Sequence, residues 1–571
     1  MQQKSLTNKN WVEKPASPEI INLLARELDI SPLLAKLLVA RKITDARHAQ
    51  SYLHKSLKNL GEPNNFADMQ KAVTRITQAI TCGEHIGIFG DYDVDGVCST
   101  ALCEQFLVSV GASVSTTLPN RLSEGYGLSR VGVDRLKQAG ATLLITADCG
   151  ILAHEQIDYA NSIGFEVIVL DHHNTGDTLP KALAVVNPKR ADCQSEADYL
   201  CAAGVCFFLC VALRRDLREK NYFAQREEPD LRELLDLVAL ATVCDVVPLI
   251  KHNRTLVSAG LKAIQEGRRP GIRALISACG VDVQKISSTN LGFHLGPRIN
   301  AAGRLEDATY ALRLLREKNL EEALRLSQML NTTNDERKEI ETQTVEEACA
   351  LINIMGEIPP ALVLHNENWH PGVVGIVASR IAERYHRPAI IIGTKGKGSG
   401  RSIKGIDLHA MVLQASQSLA GFGGHAHAIG VTLGPLGVDI FRNDLLKIMG
   451  DQIPTSVYDK EILYDTEINI SEACLALIDE LALLEPFGAS NAYPVMRINK
   501  CYMRNLRKLT GGHLKGELET SSGFASFIGF RMDIDDDLVS SALDILAVIE
   551  KNEWQGRINI QLRLIDYKKS S

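Results

Sequence analysis

The sequence contains no apolar run long enough to cross a bilayer, so nothing in it supports a membrane role. Its start, MQQKSLTNKNW, lacks the basic-then-apolar pattern of a secretory signal, and this predicts a cytoplasmic protein. No C-x-x-C pair occurs among the 13 cysteines, which are therefore expected to be reduced thiols, and zinc is not indicated. A basic excess is also missing, since the net charge is -7, but this total does not describe any single groove.

A chain of 571 residues is too long for one compact core, so several domains are expected. The first 60 residues look helical, with Ser17 as an N-cap and Pro18 at the first helical position. From about residue 80, short apolar runs alternate with helical stretches, which is typical of strands and crossover helices in a mostly parallel sheet. Strands are predicted at 85–89, 143–146 and 166–170.

The second half of the chain changes character twice. Residues 320–352 contain no proline or glycine and predict a long helix. A second mixed pattern follows, with strands predicted at 361–364 and 389–392, and after about 460 short apolar segments predict a β-rich module. The predicted domains are a helical cap (1–60), an α/β domain (61–313), a connecting helix (314–352), a second α/β domain (353–455) and a terminal β module (456–571).

Acidic and imidazole side chains follow the strands of the first α/β domain. The run 91–96, Asp-Tyr-Asp-Val-Asp-Gly, follows the first strand, Asp148 the second, and Asp171-His172-His173 the third. A fourth apolar run, 237–243, is interpreted as a further strand and ends near Asp245. Because ligands bind at the carboxyl ends of strands in open α/β sheets, these four clusters are expected to converge in one crevice.

So many carboxylates at close range cannot all stay ionised unless cations neutralise them. Aspartate oxygens mixed with imidazole suit Mn²⁺ or Mg²⁺, and two such ions about 3.5–4 Å apart can clamp the attacking and leaving oxygens of a phosphoryl displacement. The run 91–96 also fits the opening of a calcium-binding EF-hand loop, but Leu102 stands where that loop needs a glutamate. The joint placement therefore favours a hydrolytic two-metal centre.

Two basic segments indicate contact with phosphate. Residues 395–401 combine four glycines and serines with three basic side chains, which suits either a mobile phosphate-wrapping loop or an ordinary solvated one. Residues 501–515 carry five basic and no acidic side chains, as expected of a groove that follows a nucleic-acid backbone. Nearby aromatic side chains could stack on bases or fill a barrel core, and this choice stays open for Tyr502, Phe524, Phe527 and Phe530.

Together the motifs resemble the DHH phosphoesterase superfamily and, within it, the RecJ exonucleases. In the first half they are DYDVDG (91–96), PNRLSEGYGL (119–128), ADCG (147–150), DHH (171–173), ATVCDVVPL (241–249) and GPRINAAGR (296–304). In the second half they are WHPGVVGIVASR (369–380), GSGR (398–401), GGH (423–425) and LEPFG (484–488). The resemblance implies a mostly parallel-sheet DHH domain, a long connecting helix, a second α/β DHH-associated domain and a C-terminal OB-like β-barrel.

The resemblance also implies which residues carry the chemistry. The expected metal ligands are Asp93, Asp95, Asp148, His172 and Asp245, with Asp91 and His173 in or beside the ligand set. We hypothesise that Asp148 bridges two ions, because its strand is expected to be central. Three residues of the GPRINAAGR motif are expected to face the scissile phosphate, where a guanidinium can clamp two oxygens: Arg298, Asn300 and Arg304.

Substrate binding is expected from three further groups. Ser399, Arg401 and Arg121 would bind a terminal 5′-phosphate and so set polarity. His425 would either contact substrate phosphate or be an ordinary packed histidine. The terminal module would hold the strand through Arg504, Arg507, Lys508 and Lys515.

The implied function is a single-strand-specific 5′-to-3′ DNA exonuclease that releases nucleoside monophosphates in recombination and repair, using two Mn²⁺ or Mg²⁺ ions. The implied partners are single-stranded DNA, a single-strand-binding protein and a helicase, and the chain is expected to be a monomer. Two alternatives stay open. One is a DHH phosphodiesterase acting on nanoRNA, cyclic dinucleotides or pyrophosphate, which would not require the cap, linker and basic module. The other is a non-catalytic scaffold, which would be expected to have lost ligands that are all present here.

Overall fold

The structure is a computed structural model that describes residues 4–121, 124–125, 127–532, 534, 538, 541–554 and 556–570. The first three residues of the chain, and Leu122, Ser123 and Tyr126 of the motif at 119–128, lie outside the described residues. The chain divides into two compact units. Unit 1 comprises Met1–Ala49, Glu336–Leu483 and Pro494–Ser571, and unit 2 comprises Gln50–Asp335 and Leu484–Tyr493.

The β-strands are numbered in chain order. They are β1 Lys9–Glu13, β2 His85–Gly90, β3 Ser113–Thr117, β4 Leu143–Ala147, β5 Glu166–Leu170, β6 Ala184–Val186, β7 Leu362–His365, β8 Ala389–Ile392, β9 Lys397–Arg401, β10 Leu419–His425, β11 Ala428–Leu433, β12 Lys460–Tyr464, β13 Thr466–Glu467, β14 Met496–Leu509, β15 His513–Thr520, β16 Gly523–Gly529, β17 Leu543–Trp554 and β18 Arg557–Lys569.

The α-helices are numbered in the same way. They are α1 Pro18–Leu28, α2 Pro32–Val39, α3 Ala46–Leu53, α4 Met69–Cys82, α5 Val94–Ser109, α6 Arg130–Gln138, α7 His154–Ser162, α8 Ala202–Glu219, α9 Leu235–Cys244, α10 Lys251–Glu266, α11 Pro270–Ala278, α12 Ser288–Asn290, α13 Gly296–Leu305, α14 Thr309–Arg316, α15 Leu320–Ile354, α16 Val374–Tyr385, α17 Leu408–Gln414, α18 Gly437–Gln452 and α19 Leu475–Ala482. A π-helical turn, Leu291–Leu295, leads into α13.

Unit 2 is an α/β body around a parallel five-stranded sheet in the order β3-β2-β4-β5-β6. Successive side chains of its strands face opposite cores: Ile88 and Ile145 enter one cluster, whereas Phe89 and Leu144 enter the other. A sheet buried on both faces has nearly continuous apolar strands, which is why the runs at 85–89, 143–146 and 166–170 could be recognised. These predicted strands and the parallel sheet are confirmed.

The apolar run at 237–243 is not a strand. It lies in α9, which is buried along most of its length between its neighbours and packs against α5 and α10. A helix that is apolar on all sides has the same short-run signature as a buried strand, so periodicity could not separate the two. The prediction of a fourth strand was therefore wrong, although Asp245 at the C-cap of α9 still reaches the expected site.

Unit 1 contains a mixed sheet in the order β10-β11-β9-β8-β7, in which only the pair β7 and β8 is parallel. It also contains a closed barrel of β14, β15, β16, β18 and β17, because β14 pairs with β17 as well as with β15. The second α/β body and the OB-like barrel predicted from the resemblance are confirmed.

Near the start of the chain, α1 begins at Pro18 after Ser17, as predicted, and β1 is a strand that the sequence did not indicate. β1 pairs in parallel with β12, within unit 1. The long polar helix is present as α15, which continues two residues beyond the predicted end, and the division between the units falls inside it.

The segment 484–493 packs within unit 2 around a buried arginine. The guanidinium of Arg254 donates to the carbonyl oxygens of Leu484 at 2.9 Å and Glu485 at 3.0 Å, and it stacks on the ring of Tyr52. The amide of Asn491 closes the turn by donating to two carbonyls of the same segment. This contact network ties a late part of the sequence to the body that carries the acidic clusters.

Candidate metal centre and phosphate-binding sites

The first acidic cluster lies between β2 and α5. Asp93 is the N-cap of α5 and accepts from the backbone N–H of Gly96 at 3.1 Å. A Cβ on Gly96 would lie 2.4 Å from the carbonyl oxygen of Asp91, so only glycine allows this turn to close. Asp95 is buried and accepts from the N–H of Ala202 at 2.6 Å, at the start of α8.

The second cluster is the turn after β4. Asp148 has a φ of +65°, and its N–H donates to Leu170 of the neighbouring strand at 2.9 Å. The hydroxyl of Thr146 donates to the carbonyl of Cys149 and stabilises the turn. A left-handed conformation at a residue other than glycine costs free energy and is concentrated at functional sites. The turn thereby holds the buried carboxylate of Asp148 at the end of the sheet.

The third cluster follows β5. Asp171 accepts from the N–H of Ile151 at 2.9 Å and from Nδ1 of His173 at 2.7 Å, so it positions the third cluster against the second. The backbone N–H of His172 also donates to Oδ1 of Asp171, at 2.7 Å, but its ring differs. Its Nδ1 and Nε2 are both buried without a hydrogen-bond partner among the described residues.

The clusters converge on His172. Its Nε2 lies 3.3 Å from Oδ1 of Asp148, 3.6 Å from Oδ2 of Asp245 and 3.7 Å from Oδ2 of Asp95. Three overlapping sets of side chains each bring one ligand atom per residue within 4.8 Å of the others. They are Asp91, Asp93 and Asp148; Asp148, His172 and His173; and Asp95, His172 and Asp245.

Burial and like charge disfavour ionisation of this cluster. Burial, with Asp93 nearby, raises the pKa of Asp91 to about 8. Burial and the surrounding carboxylates, Asp95 first, raise the pKa of Asp148 well above its usual range. Burial, then the adjacent His173, lowers the pKa of His172 to about 3, so its imidazole is neutral at physiological pH. Neutral imidazole and carboxylate are both ligands for divalent cations.

The cluster fits divalent cations on a second ground. Oδ1 of Asp91, Oδ1 of Asp148 and both ring nitrogens of His172 are buried without a hydrogen-bond partner among the residues described. Buried polar atoms are nearly always satisfied in native proteins, by protein, water or an ion. Several unsatisfied atoms that face one another therefore indicate an ion-binding site.

The GPRINAAGR motif forms α13 against the first cluster. Asn300 Oδ1 accepts from the N–H of Val94 at 3.2 Å, directly after Asp93. A Cβ on Gly303 would lie 2.8 Å from the carbonyl oxygen of Tyr92, so a glycine is needed for α13 to approach this closely. The guanidinium of Arg121 lies 5.1 Å from the centre of the Tyr92 ring. Tyr92 thus connects the acidic loop to a cation expected to bind substrate.

Arg298 is fixed by two hydrogen bonds. Its Nε donates to Oδ1 of Asn331 at 2.9 Å, and its Nη1 donates to the carbonyl of His294, in the π-helical turn, at 2.7 Å. Arg304 is on the same helix, and its charge acts on Tyr92, whose pKa burial raises to about 12. π-Helical turns are rare and frequent at functional sites.

Ser399 and Arg401 lie on β9 in unit 1, where they form a small anion-compatible site. Nη1 of Arg401 donates to Oγ of Ser399 at 2.9 Å. A Cβ on Gly375, near the N-terminus of α16, would lie 3.2 Å from Oγ of Ser399 and 3.4 Å from Nη2 of Arg401. A helix N-terminus presents free N–H groups and a partial positive charge, so the three features together favour a phosphate.

The interpretation of 395–401 as a mobile loop was wrong, because 397–401 is β9, a strand between β8 and β11. Its glycines are required by close packing: a Cβ on Gly398 would lie 2.7 Å from Ile392, and one on Gly400 would lie 2.6 Å from Ile429. Ala428 on β11 pairs with Arg401 on β9 at one edge and with His425 on β10 at the other. Arg401 and His425 therefore lie two strand spacings apart, or about 10 Å.

The basic segment of the barrel lies on β14 and β15. Arg507 is directly opposite Lys515, and Lys508 is opposite Leu514. Arg504 is different, since its Nε donates to Glu519 at 2.7 Å, a carboxylate outside the segment that the sequence singled out. The structure thus concentrates the basic charge at Arg507, Lys508 and Lys515.

Of the aromatic side chains of the barrel, one fills the core and others are exposed. Phe527 is fully buried in the core. Tyr502 and Phe524 are 40% and 76% exposed and pair with the same residue, Glu519, from either side. Phe530 is half exposed and contacts the ring of His513. Two aromatic rings are therefore available on one face of the barrel.

Three family models match the chain: the DHH family N-terminal domain at residues 85–242, the DHHA1 domain at 359–451 and the RecJ OB domain at 464–566. The chain is 36% identical to the single-stranded-DNA-specific exonuclease RecJ of Escherichia coli, over 95% of this chain and 98% of that protein. The chain belongs to the RecJ exonuclease family. It is also 34% identical to the Bacillus subtilis RecJ, over 97% of this chain and 70% of that protein.

Solved RecJ structures agree with this assignment. RecJ from Thermus thermophilus in complex with Mn²⁺ matches with a TM-score of 0.84 at 27% identity, over 99% of this chain and 80% of that one. An exonuclease RecJ bound to manganese matches with a TM-score of 0.60 at 34% identity, over 69% of this chain and 96% of that one.

Several residues have roles that the sequence analysis did not assign. Asp171 was named as part of the third cluster, but its role in positioning His173 was not predicted. Tyr92 and Gly375 act through packing, which a sequence does not display. Lys189 places its charge near His172 and Asp245 and had no recognisable spacing to either.

Proposed function

We propose that this chain is a single-strand-specific 5′-to-3′ DNA exonuclease that hydrolyses phosphodiester bonds, releases nucleoside monophosphates and acts in recombination and repair. The observation that carries the proposal is the convergence of buried, unsatisfied carboxylate and imidazole atoms on His172. Membership of the RecJ family supports single-stranded DNA as the substrate. No helix in the described part of the chain is long and apolar enough to span a membrane.

The proposed ligands of two divalent cations, Mn²⁺ or Mg²⁺, are the residues of the three overlapping sets. Asp148 and His172 each belong to two of the sets, and because a carboxylate offers two ligand oxygens, this supports the hypothesis that Asp148 would bridge the ions. Bound cations would supply Lewis-acid charge and lower the pKa of a water that attacks phosphorus. The metal ligands we propose are Asp91, Asp93, Asp95, Asp148, His172 and Asp245, with His173 beside them.

The chain's own residues would orient the substrate. We assign Arg298, Asn300 and Arg304 to the scissile phosphate, because α13 packs directly on the acidic loop. Arg298 is already fixed by Asn331, so little side-chain entropy is lost when it binds phosphate. The hydrogen bond from His173 to Asp171 holds the histidine ring in place for contact with the reacting phosphate.

The test uses 5′-phosphorylated DNA with a label at its 3′ end, in single-stranded and duplex forms, incubated with Mn²⁺, Mg²⁺ or chelator. The proposal predicts that single strands alone are shortened stepwise from the unlabelled 5′ end, that the labelled 3′ nucleotide is released as a mononucleotide only at the end of digestion, and that chelator stops the reaction. Cleavage of a dinucleotide with no action on long strands would instead favour a small-substrate DHH phosphodiesterase. Absence of DNA hydrolysis with both Mn²⁺ and Mg²⁺ would favour a non-catalytic scaffold.

Polarity is assigned to the site of Ser399 and Arg401 in unit 1, and a contact of Arg121 with the same phosphate stays a prediction from the resemblance. Arg401→Ala should lose most of the preference for 5′-phosphorylated over 5′-hydroxyl ends, because it removes the cation from the α16 site. A charge-assisted contact contributes about 1.5–3 kcal/mol, so the ratio of kcat/KM for the two ends should fall by about tenfold or more. Arg442→Ala, in the same unit, is the control. An unchanged ratio in Arg401→Ala would reject the assignment, and the same comparison for His425→Ala decides whether His425 binds phosphate.

The barrel would bind along the sugar-phosphate backbone of a long DNA single strand. Because 484–493 packs in unit 2, truncating the chain before the barrel would also damage that unit, so charge reversal is the sharper test. Arg507→Glu with Lys515→Glu should weaken binding of long single strands and leave hydrolysis of short oligonucleotides unchanged. The slope of log K against log salt should fall by about 0.7 for each phosphate that the barrel no longer neutralises, or about 1.4 in total.

The matched control reverses Lys551 and Arg557, at the far end of the β17–β18 hairpin. Equal weakening of DNA binding in both double variants would mean that net charge, and not the strip, determines binding. The same comparison with Lys508→Glu and Arg504→Glu is expected to show a smaller effect for Arg504, since Glu519 already pairs with it. A single-strand-binding protein and a helicase stay predicted partners from the resemblance, and the monomeric state and the cytoplasmic location stay predictions.

A further inference from the structure

Unit 2 contains a cavity of about 890 Å³ that lies away from the metal centre. Its walls come from the C-terminal half of α5, the start of α9, the length of α10, the end of α14 and the loop 55–58. α5 and α9 also carry acidic residues of the metal centre at their opposite ends, Asp95 and Asp245. Glu104 and Asp236, which line the cavity, are each nine residues from those ends, or about 14 Å along the helix. The cavity is therefore a separate site.

The cavity has a local positive charge in a chain of net charge -7. Eight basic and five acidic side chains line it. The arginines are paired: Arg269 with Asp236 at 2.7 Å, and Arg316 with Glu104 at 2.5 Å. By contrast, Lys58, Lys262 and Lys318 have no carboxylate partner among the described residues.

Lys55 lies at the same end of the cavity, where its Nζ donates to the carbonyl oxygen of Glu485 at 2.7 Å. Its pKa is lowered to about 8, first by burial and then by Arg254, with Lys262 acting in the same direction and Glu485 opposing them. An anion bound beside Lys55 and Lys262 would offset this repulsion. The lysine end of the cavity is thus electrostatically prepared for a negatively charged group.

The other residues that line the cavity indicate which further groups a ligand would contain. Ala101, Leu235 and Ala259 supply an apolar surface. Glu104 is only 9% exposed, and its Oε2 has no hydrogen-bond partner in the part of the chain that the structure describes. A buried acceptor of this kind is costly unless a ligand donates to it. The ligand that fits these walls has an anionic group, an apolar body and an N–H donor.

We propose that this cavity is a nucleoside phosphate site, with the phosphate at Lys55, Lys58 and Lys262 and a base amino group donating to Glu104. A nucleoside phosphate combines the three properties in one molecule, and the cavity is within the range of small-molecule sites. The site goes beyond the proposed nuclease activity, because its residues are distinct from those that would bind cations or the scissile phosphate. Its occupant is a nucleotide of the kind that the proposed reaction releases.

The test is photolabelling of the full-length protein, with Mn²⁺ present, by 8-azidoadenosine 5′-monophosphate, followed by mass spectrometry of the labelled peptides. The label is expected on α5 beyond Ala101 or on α10. Labelling should be about tenfold weaker in Lys262→Glu and in Lys58→Glu, and unchanged in Lys447→Glu, a matched reversal in unit 1. Unlabelled AMP should protect, whereas adenosine and inorganic phosphate should protect only at much higher concentrations.

Hydrolysis of single-stranded DNA by Lys262→Glu and Lys58→Glu shows that the variants are folded. Label confined to peptides around the metal centre would overturn the proposal. So would undiminished labelling of both active variants, or protection by adenosine as strong as that by AMP. Because DNA hydrolysis is measured separately, loss of the nucleotide site and failure of the nuclease proposal give different results.

Discussion

Asp148→Asn is expected to lower the rate of DNA hydrolysis by about 10³-fold while the protein stays folded. Asp148 lies in two of the three candidate ligand sets, so its loss would affect both proposed ions. Stabilisation of transition-state charge by metal ions amounts to several kcal/mol, and about 4 kcal/mol corresponds to about 10³ in rate. Asparagine keeps the shape of the side chain, and the measurement is the single-turnover rate on 5′-phosphorylated single-stranded DNA with Mn²⁺.

The same variant separates a metal ligand from a structural residue. In chelator, Asp148→Asn should unfold at the same or a higher temperature than the parent protein, because it removes one buried carboxylate from among Asp91, Asp95 and Asp245. Addition of Mn²⁺ should raise the unfolding temperature of the parent protein and have little effect on the variant. Asp158→Asn, an exposed aspartate of unit 2, is the control. Nearly normal activity of Asp148→Asn would refute its assigned role.

The second large effect is expected on stability. Arg254→Met should lower the free energy of unfolding by about 3–5 kcal/mol, in the range of a broken buried polar network. Arg254 is 2% exposed and donates to the carbonyls of Leu484, Glu485 and Tyr52. Methionine keeps the apolar stem but removes the arginine's hydrogen bonds and its stacking on the Tyr52 ring. Asn491 still donates to the carbonyl of Leu484 and Lys55 to that of Glu485, so the cost of about 1–3 kcal/mol for a buried group that loses its donor falls on the carbonyl of Tyr52. The measurement is urea unfolding followed by circular dichroism.

Lys262→Met provides the control for Arg254→Met, since it removes a charge from the exposed face of the same helix. A loss of stability confined to Arg254→Met is expected. The 484–493 segment also contacts the chain after Asp245, because the N–H of Leu249 donates to the carbonyl of Ala489 at 2.8 Å. Proteolytic cleavage in the segment should therefore become faster in Arg254→Met, and a variant as stable and as resistant as the parent would show that the segment does not depend on this arginine.

The acidic cluster could be predicted because neighbouring parallel strands bring the residues that follow them to one edge of the sheet. β2, β4 and β5 are neighbours in the sheet, and each is followed at once by acidic residues. Their carboxyl ends meet at one edge, so adjacency along the strands becomes proximity in space. No long-range contact had to be guessed to bring Asp93, Asp148 and His172 together.

The errors arose where two structures share one local pattern. The run before Asp245 is apolar on every side because α9 is enclosed on every side, and a short run of this kind does not reveal its period. The glycines at 398 and 400 indicated flexibility, but they are present because isoleucine and valine side chains of β8 and β11 leave no room for a Cβ. Both features depend on neighbours that are distant in the sequence.

The barrel and its linking segment show a third limit. The alternation of apolar and polar residues predicted a β module, but nothing local indicated that Arg504 bonds to Glu519 or that 484–493 packs around Arg254. These contacts join residues whose positions are set by tertiary structure alone. Counting charges along the sequence therefore placed Arg504 in the basic strip, although Glu519 pairs with it.

The central claim is that divalent cations bind where the acidic ends of β2, β4 and β5 meet His172 and Asp245. The most direct test is anomalous diffraction at the manganese edge from a crystal soaked in Mn²⁺. The account predicts two anomalous peaks within ligand distance of Asp148, each also contacting further members of the three sets. Absence of any peak among these side chains, in crystals of protein that hydrolyses DNA with Mn²⁺, would contradict it.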